Sequence, residues 1–237
     1  MSYLYTAIII EPRKHPAMHF VLKNFLENLD ERWGFIIFHG TKNDQWLRDM
    51  INSEFSSDKN RIQLNNLNLS NISWKEYNKL CSNSDFIEKI PTEQFLIFQV
   101  DTSICNSEKN LIYDFLKYDY VGAPWLITPG SDSEFCGKVG NGGLSLRRKS
   151  KMLEVIEKVP YPDNIAEDEY YCIYNKLVTL NRPTYEEAQL FSMETVYSGR
   201  CFGIHKPWLH EAGKVDLEIQ FPGYNELVRL NSLPVPD

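Results

Sequence analysis

No hydrophobic run in this sequence is long: the most apolar stretches, such as residues 7–10 and 35–38, fall far short of the roughly 18–20 residues that a membrane-spanning helix needs. That excludes a membrane span from the reading. No basic segment precedes the first apolar run and Glu11 closes it early, so the start reads as a first strand and not a secretory signal. A cytoplasmic protein is the expectation. The five cysteines (Cys81, Cys105, Cys136, Cys172 and Cys201) include no C-x-x-C pair, and the nearest two are 24 residues apart. Common zinc spacings and a dense disulfide framework are thereby excluded, and reduced thiols are expected. The sequons Asn68-Leu-Ser and Asn71-Ile-Ser fall in an Asn-rich segment and have meaning only in a secretory lumen. No block of Lys and Arg offsets the net charge of −7, which argues against a nucleic-acid backbone as partner. Any anionic ligand must be held locally. Neither G-x-x-x-x-G-K-[ST] nor G-x-G-x-x-G occurs, which speaks against a P-loop ATPase and a dinucleotide dehydrogenase.

What is present is enough apolar material, 43% of 237 residues, for a sizeable core. Residues 4–10 form a β-branched apolar run that stops at Glu11-Pro-Arg-Lys-His-Pro16, where two prolines forbid continuation. From Ala17, apolar residues recur at Met18, Val21, Leu22, Phe25, Leu26 and Leu29, the spacing of an amphipathic helix. A strand at 33–38, a helix at 43–55 and a short strand at 61–69 continue the alternation. This β-α-β-α-β order predicts an α/β fold with a mainly parallel central sheet and helices on both faces. The most apolar strand, 95–100, reads as a central parallel strand ending at Asp101. Beyond it the chain is richer in loops and aromatics. A strand is expected at 144–147, a helix over 167–178 with Tyr170, Tyr171, Ile173, Tyr174, Leu177 and Val178 on one face, and a short strand over 201–208 that delivers His205. No repeat or linker divides the chain, so one domain, 1–237, with two unequal lobes is expected.

Ligands of open α/β sheets bind outside the carboxyl ends of the strands, which is where Asp101 falls. With Thr102 and Ser103 it offers oxygen groups suited to Mg²⁺ or Mn²⁺ and phosphate; the alternative is a side-chain turn cap. Gly140-Asn-Gly-Gly143 either lets a backbone approach a ligand closely or is a tight hairpin turn. Glu167-Asp168-Glu169 either caps a helix and complements its dipole or supplies a general base. His205 is either packed or a ligand, with Lys206 beside it to suit a diphosphate. Glu11, Arg13, Lys14 and His15 follow the first strand as a binding cluster or a solvated turn. Trp125, Trp208 and the tyrosines near Glu167 form a sugar platform or belong to the core.

Taken in order, Phe98-Gln-Val-Asp101-Thr-Ser, Asp119-Tyr-Val-Gly-Ala-Pro-Trp125, Gly140-Asn-Gly-Gly-Leu-Ser-Leu-Arg147, Glu167-Asp168 and Phe202-Gly-Ile-His205-Lys-Pro-Trp resemble an uncharacterised family of glycosyltransferase-like domains. The pattern is similar to GT-A glycosyltransferases, a Rossmann-like nucleotide-sugar fold with a D-x-D metal motif, a glycine-rich loop, an x-E-D motif and a late histidine. The resemblance implies a nucleotide-binding half over about 1–103 and a smaller, loop-rich acceptor and catalytic half over about 104–237. It implies a divalent ion, Mn²⁺ or Mg²⁺, held by Asp101 and His205. Donor binding would fall to Glu11, Arg13, Gln99, Asp101, Ser103, Asn141, Gly142, Gly143 and Lys206, and acceptor binding to Trp125 and Trp208. Asp168, with Glu167 before it, would be the base that deprotonates an acceptor hydroxyl, with inversion at the anomeric carbon. The implied partners are a nucleotide-sugar donor and a glycan or other hydroxyl-bearing acceptor. One departure is evident: Asp101-Thr-Ser103 lacks the second carboxylate of D-x-D, so the ion would bind together with the donor's phosphates, or Arg13 and Lys206 would neutralise the diphosphate without it. A non-catalytic carbohydrate- or nucleotide-binding module and a nucleotidyltransferase are the competing readings. A dehalogenase-type phosphatase, which needs a D-x-D at its strand end, is weaker.

Overall fold

The computed structural model describes residues 3–135 and 137–236. Cys136, one of the expected thiols, lies outside them, and Cys81, Cys105, Cys172 and Cys201 are free and buried. The chain runs β1 (Tyr5–Ile10), α1 (Met18–Asn28), β2 (Trp33–His39), α2 (Asp44–Glu54), β3 (Ile62–Asn66), α3 (Trp74–Cys81), α4 (Ser84–Ile87), β4 (Gln94–Ile97), β5 (Thr102–Ile104) and β6 (Tyr120–Val121). It continues through β7 (Ser145–Arg148), α5 (Lys149–Lys158), α6 (Glu167–Glu169), α7 (Tyr185–Gln189), β8 (Ser192–Met193), β9 (Gly203–His205) and α8 (Tyr224–Ser232). The main sheet has the order β3-β2-β1-β4-β7-β6. Its first four strands are parallel, and β7 is antiparallel to both β4 and β6.

Alternation along the strands builds two cores, one on each face of this sheet. Ala7, Ile9, Phe35, Ile37, Leu96 and Phe98 point to the face covered by α1, α2 and α8, whereas Ile8, Ile10, Ile36, Phe38, Phe95 and Ile97 point to the face covered by α4, α5 and the segment after α6. The expected mainly parallel α/β sheet with helices on both faces is therefore present. β1 lies between β2 and β4, so successive connections leave it in opposite directions. A crevice opens at that reversal, outside the carboxyl ends of β1 and β4. A second sheet, β5-β9-β8, joins β5 to β9 antiparallel and β9 to β8 parallel.

Three elements differ from the sequence reading. The strand expected over 95–100 leaves the sheet after Ile97, because Val100 and Asp101 form a turn closed by Thr102 donating through its amide and its hydroxyl to the Gln99 carbonyl at 3.2 and 2.6 Å. It is parallel to β1 on one side only. Helices α3 and α4 fill a stretch where the sequence reading gives no element, although Ser73-x-x-Glu76 is a legible capping box and closes as one. The helix expected over 167–178 is one short turn followed by a wide π-turn at Tyr170–Tyr174. Asn175 ends it by accepting from the amides of Leu177 and Val178, and Tyr174 and Leu177 are exposed instead of sharing the buried face.

Phe98 stacks on Phe25 at 4.0 Å and meets Phe35 edge-on at 6.4 Å, joining β4, α1 and β2. Phe98→Ala should destabilise the fold by about 3–5 kcal/mol, read as a lowered midpoint in urea denaturation with an unchanged slope.

Candidate active site

The carboxyl ends of β1 and β4 define a cleft of about 250 Å³ lined by Glu11, Arg13, Gln99 and Asp101, with Trp74 and Tyr77 of α3 on the opposite wall. Glu11 is buried, and its two oxygens accept from Arg13 Nε and Nη2 at 2.8 Å each. That pairing raises the Arg13 guanidinium above its ordinary value, chiefly through the hydrogen bond to Glu11. Gln99 donates to the Tyr77 hydroxyl at 3.0 Å. A half-exposed guanidinium is thus held in fixed orientation at the mouth of the reversal crevice.

Asp101 borders this cleft and also a second, buried cluster. His205, at the end of the central strand β9, brings Nε2 to 3.4 Å from Asp101 Oδ1, and its Nδ1 lies 3.1 Å from Glu194 Oε1 and 2.9 Å from Asn141 Oδ1. Burial alone would push this imidazole down, but Asp101 and Glu194 outweigh it and lift it to about 9. Burial likewise pushes the Asp101 carboxyl up, and His205 and Lys206 overcome that and hold it below the usual carboxylate range. Lys206 is kept beside Asp101 by its own amide, which donates to the Asp101 carbonyl at 2.9 Å from a left-handed backbone (φ 32°). His15 is buried nearby, its Nδ1 accepting from the Ala17 amide at 3.2 Å.

The loop before β7 links this cluster to the two acidic residues of α6. The Gly142 amide donates to Asp168 Oδ2 at 2.9 Å, and the Gly143 amide donates to Asn141 Oδ1 at 3.1 Å. Glycine is required at both positions by close approach. A Cβ on Gly143 would overlap the His205 imidazole, and one on Gly142 would overlap the carboxylate of Glu167. Asp168 accepts a second bond, from the Glu169 amide at 2.8 Å. Burial and then the neighbouring Glu167 push the Asp168 carboxyl up to about 7, against the opposing pull of these two amides.

Glu167 has a different environment. Its carboxylate forms a bidentate pair with Arg147 of β7 at 2.5 and 2.8 Å, both side chains being buried, and its amide donates to Asn78 Oδ1 at 2.9 Å. The Arg147 guanidinium lies over the rings of Tyr120 and Tyr171 and donates to Ser145 Oγ at 2.9 Å. With both oxygens committed, Glu167 is a support and Asp168 is the carboxylate left facing the glycine loop.

The remaining expected residues separate. Ser103 is buried in β5, paired with Ile204 and outside the Arg13 cleft. Trp125 packs edge-on against Phe135 at 5.5 Å. Trp208 lines another cleft, of about 420 Å³, with Leu126, Thr195 and Lys214. Trp208 has its own ring partner in Tyr224, and Tyr170 and Tyr171 belong to the core. Among the described residues no three His, Cys, Asp or Glu groups converge as a metal cage. Glu194, Trp74, Tyr77 and Asn78 were missed in the sequence. The capping box at Ser73 was a usable signal for the α3 residues, and Glu194 had none, since only strand pairing brings it to His205.

Solved structures supply the comparison for this fold. The active-site mutant Q189E of LgtC matches with a TM-score of 0.57 at 12% identity, covering 98% of each chain. The galactosyltransferase LgtC in complex with donor and acceptor sugar analogs matches at 0.56 and 12% identity, again over 98% of each. The mannosyltransferase PcManGT from Pyrobaculum calidifontis, in complex with GDP-Man and Mn²⁺, reaches 0.45 at 12% identity over 72% of this chain and 50% of that one, too low to bear on the site. The LgtC likeness shows a GT-A-like glycosyltransferase fold. A family model described as "Protein of unknown function (DUF5672)" matches residues 61–206. No curated protein matches by sequence.

The Arg147–Glu167 pair is buried on all sides, so removing one partner leaves an uncompensated charge. Arg147→Met should cost about 3–5 kcal/mol, and adding Glu167→Gln should recover part of it, as read by denaturant unfolding of the single and double variants.

Proposed function

The chain belongs to the DUF5672 family, and we propose that it is a glycosyltransferase that moves a sugar from a nucleotide-sugar donor to an acceptor hydroxyl. The observation that carries this reading is the adjacency of two features: a crevice at the strand-order reversal bordered by Arg13 and Asp101, and an Asp168 carboxyl lifted to about 7 on the glycine loop that also touches His205. The GT-A-like fold supports the same reading; a fold alone assigns no activity.

In this reading the donor nucleotide lies in the cleft of Glu11, Arg13 and Gln99. Arg13 and Lys206 neutralise the diphosphate, and Glu11 fixes the direction of the Arg13 fork. Asn141, Gly142 and Gly143 let the backbone approach the transferred sugar. Ser103, buried in β5, contributes packing to this arrangement and not a donor contact. Trp208 and its cleft form the acceptor side, with Trp125 supporting the loop behind it. Asp168 takes the proton of the attacking hydroxyl in a single displacement that inverts the anomeric centre, help that is worth about 10²–10⁴-fold in rate. Glu167 holds the short turn that aims Asp168.

A divalent ion fits two atoms of the cluster. Asp101 Oδ1 and His205 Nε2 are both buried without a hydrogen-bond partner and face each other at 3.4 Å, close to the roughly 3 Å between neighbouring ligands of an octahedral ion bound at about 2.1 Å. One oxygen and one imidazole nitrogen suit Mn²⁺ or Mg²⁺. With only two protein groups, the other positions fall to donor phosphates and water, so ion and donor bind together. When bound, the ion supplies Lewis-acid stabilisation of the departing diphosphate.

The missing second carboxylate favours one other reading, a module that binds nucleotide sugar without turnover. Release of nucleoside diphosphate separates the two.

A thermal-shift panel of UDP-, GDP-, dTDP- and CMP-sugars, each with Mn²⁺, Mg²⁺ or chelator, tests the donor site. One nucleotide class at about 100 times its dissociation constant should add about 2.7 kcal/mol, a rise of roughly 5–10 °C, and no shift with any donor sinks the proposal. Asp168→Asn should abolish transfer while leaving nucleotide binding intact, and wild-type turnover in that variant places the base elsewhere. Initial rates should rise with pH through an apparent pKa near 7, as Asp168 deprotonates. The same group has a linked effect on stability. Its folded pKa is raised, so its protonated form stabilises the fold below about pH 4 and this contribution is lost as pH rises through about 7. The stability of Asp168→Asn relative to wild type should therefore increase across that window, as followed by urea unfolding at pH 4 and pH 8.

A further inference from the structure

Glu194 follows β8 and is buried, 4% exposed, with no role in the mechanism above. The register of the small sheet explains its position. Met193 pairs with Ile204, so the residue just after β8 falls beside His205; on the other side of β9, Thr102 pairs with His205, which sets Asp101 against it. The imidazole at the end of the central strand is therefore flanked by one carboxylate from each neighbouring strand.

The hydrogen-bond pattern orients the ring. Asn141 Oδ1 accepts from the Gly143 amide at 3.1 Å and is therefore the amide oxygen, an acceptor only. The same oxygen lies 2.9 Å from His205 Nδ1, and Glu194 Oε1 lies 3.1 Å from it. Two acceptors at Nδ1 require a proton there, which turns Nε2 toward Asp101 Oδ1. Nε2 and Oδ1 are both buried without a hydrogen-bond partner. The two atoms face each other at 3.4 Å, a gap held by a proton on Nε2 in the free protein and one that a divalent ion would take in its place.

We propose that Glu194 is a positioning residue: through His205 Nδ1 it aims Nε2 at Asp101 and makes the ring a stronger ligand, supplying from behind the imidazole the negative charge that Ser103 does not supply in front. A carboxylate on the far nitrogen of a metal-bound histidine fixes the ring and raises its basicity. This inference rests on the donor-and-ion reading of the site, and it locates the compensation for the departure from D-x-D in a residue 91 positions after Ser103.

The test counts free Mn²⁺ by its electron paramagnetic resonance signal, with protein alone and with UDP, GDP, dTDP or CMP added. Glu194→Gln keeps an acceptor oxygen for Nδ1 and removes only the charge. It should weaken Mn²⁺ binding about 10–100-fold, with Glu194→Asp intermediate and the circular dichroism spectrum unchanged. Wild-type Mn²⁺ affinity in a folded Glu194→Gln overturns the proposal. A second readout needs no metal. In ¹⁵N spectra of the histidine rings, His205 should show a hydrogen-bonded, protonated Nδ1, and Glu194→Ala should shift that signal. An unmoved ring signal also overturns it. Absence of Mn²⁺ binding by wild type with every nucleotide, together with a shifted ring signal, would instead refute the ion in the functional reading while leaving Glu194 as the group that positions His205.

Discussion

A guanidinium with no exposed surface needs a partner, and the requirement of Arg147 for one organises the second half of this chain. Its charge survives burial because Glu167 accepts both ends of the fork, which outweighs the desolvation that would otherwise lower its affinity for the proton. The pair ties β7, in the main sheet, to the single turn of α6. Everything between the two partners in space is then constrained: Gly142 has no room for a side chain, the loop amides point at Asp168 and Asn141, and the ring of His205 lies against Gly143. The negative charge of Glu167 also reaches Asp168 and helps to lift its carboxyl to about 7. Burial is the larger cause of that shift and Arg147 opposes it, so the ion pair chiefly sets the position of its neighbour.

The second organising feature is topological. Reversal of strand order at β1 opens a crevice at strand ends, and the early exit of β4 at Ile97 carries Asp101 across to the small sheet. Asp101 consequently belongs to two environments, the cleft with Arg13 and the buried cluster with His205. In a chain with a net charge of −7, two cations are nonetheless fixed around Asp101: Arg13 at the cleft by a buried carboxylate and Lys206 by a backbone hydrogen bond.

The elements were unevenly legible. The strands and helices up to β3 follow local periodicity closely, since each run of alternating or 3.6-spaced apolar residues reports its own burial. The long helix expected after Glu167 failed because its buried tyrosines are consecutive: Tyr170, Tyr171 and Cys172 all point inward, which a π-turn allows, and Asn175 supplies the terminating hydrogen bonds. The residues Asp101, Asn141, Gly142, Gly143, Asp168 and His205 were named from their motifs, and they do converge.

The sequence by itself therefore determined the α/β class, the end of the first strand at Glu11, and the residue types at the crevice, because these depend on neighbours within a few positions. Only the tertiary structure decided that Glu167 supports while Asp168 faces the loop, and that Glu194 backs His205. Those roles are set by partners 20 residues away across β7 and α6, or on an adjacent strand of the small sheet. No local pattern records which of two adjacent carboxylates a buried arginine will take.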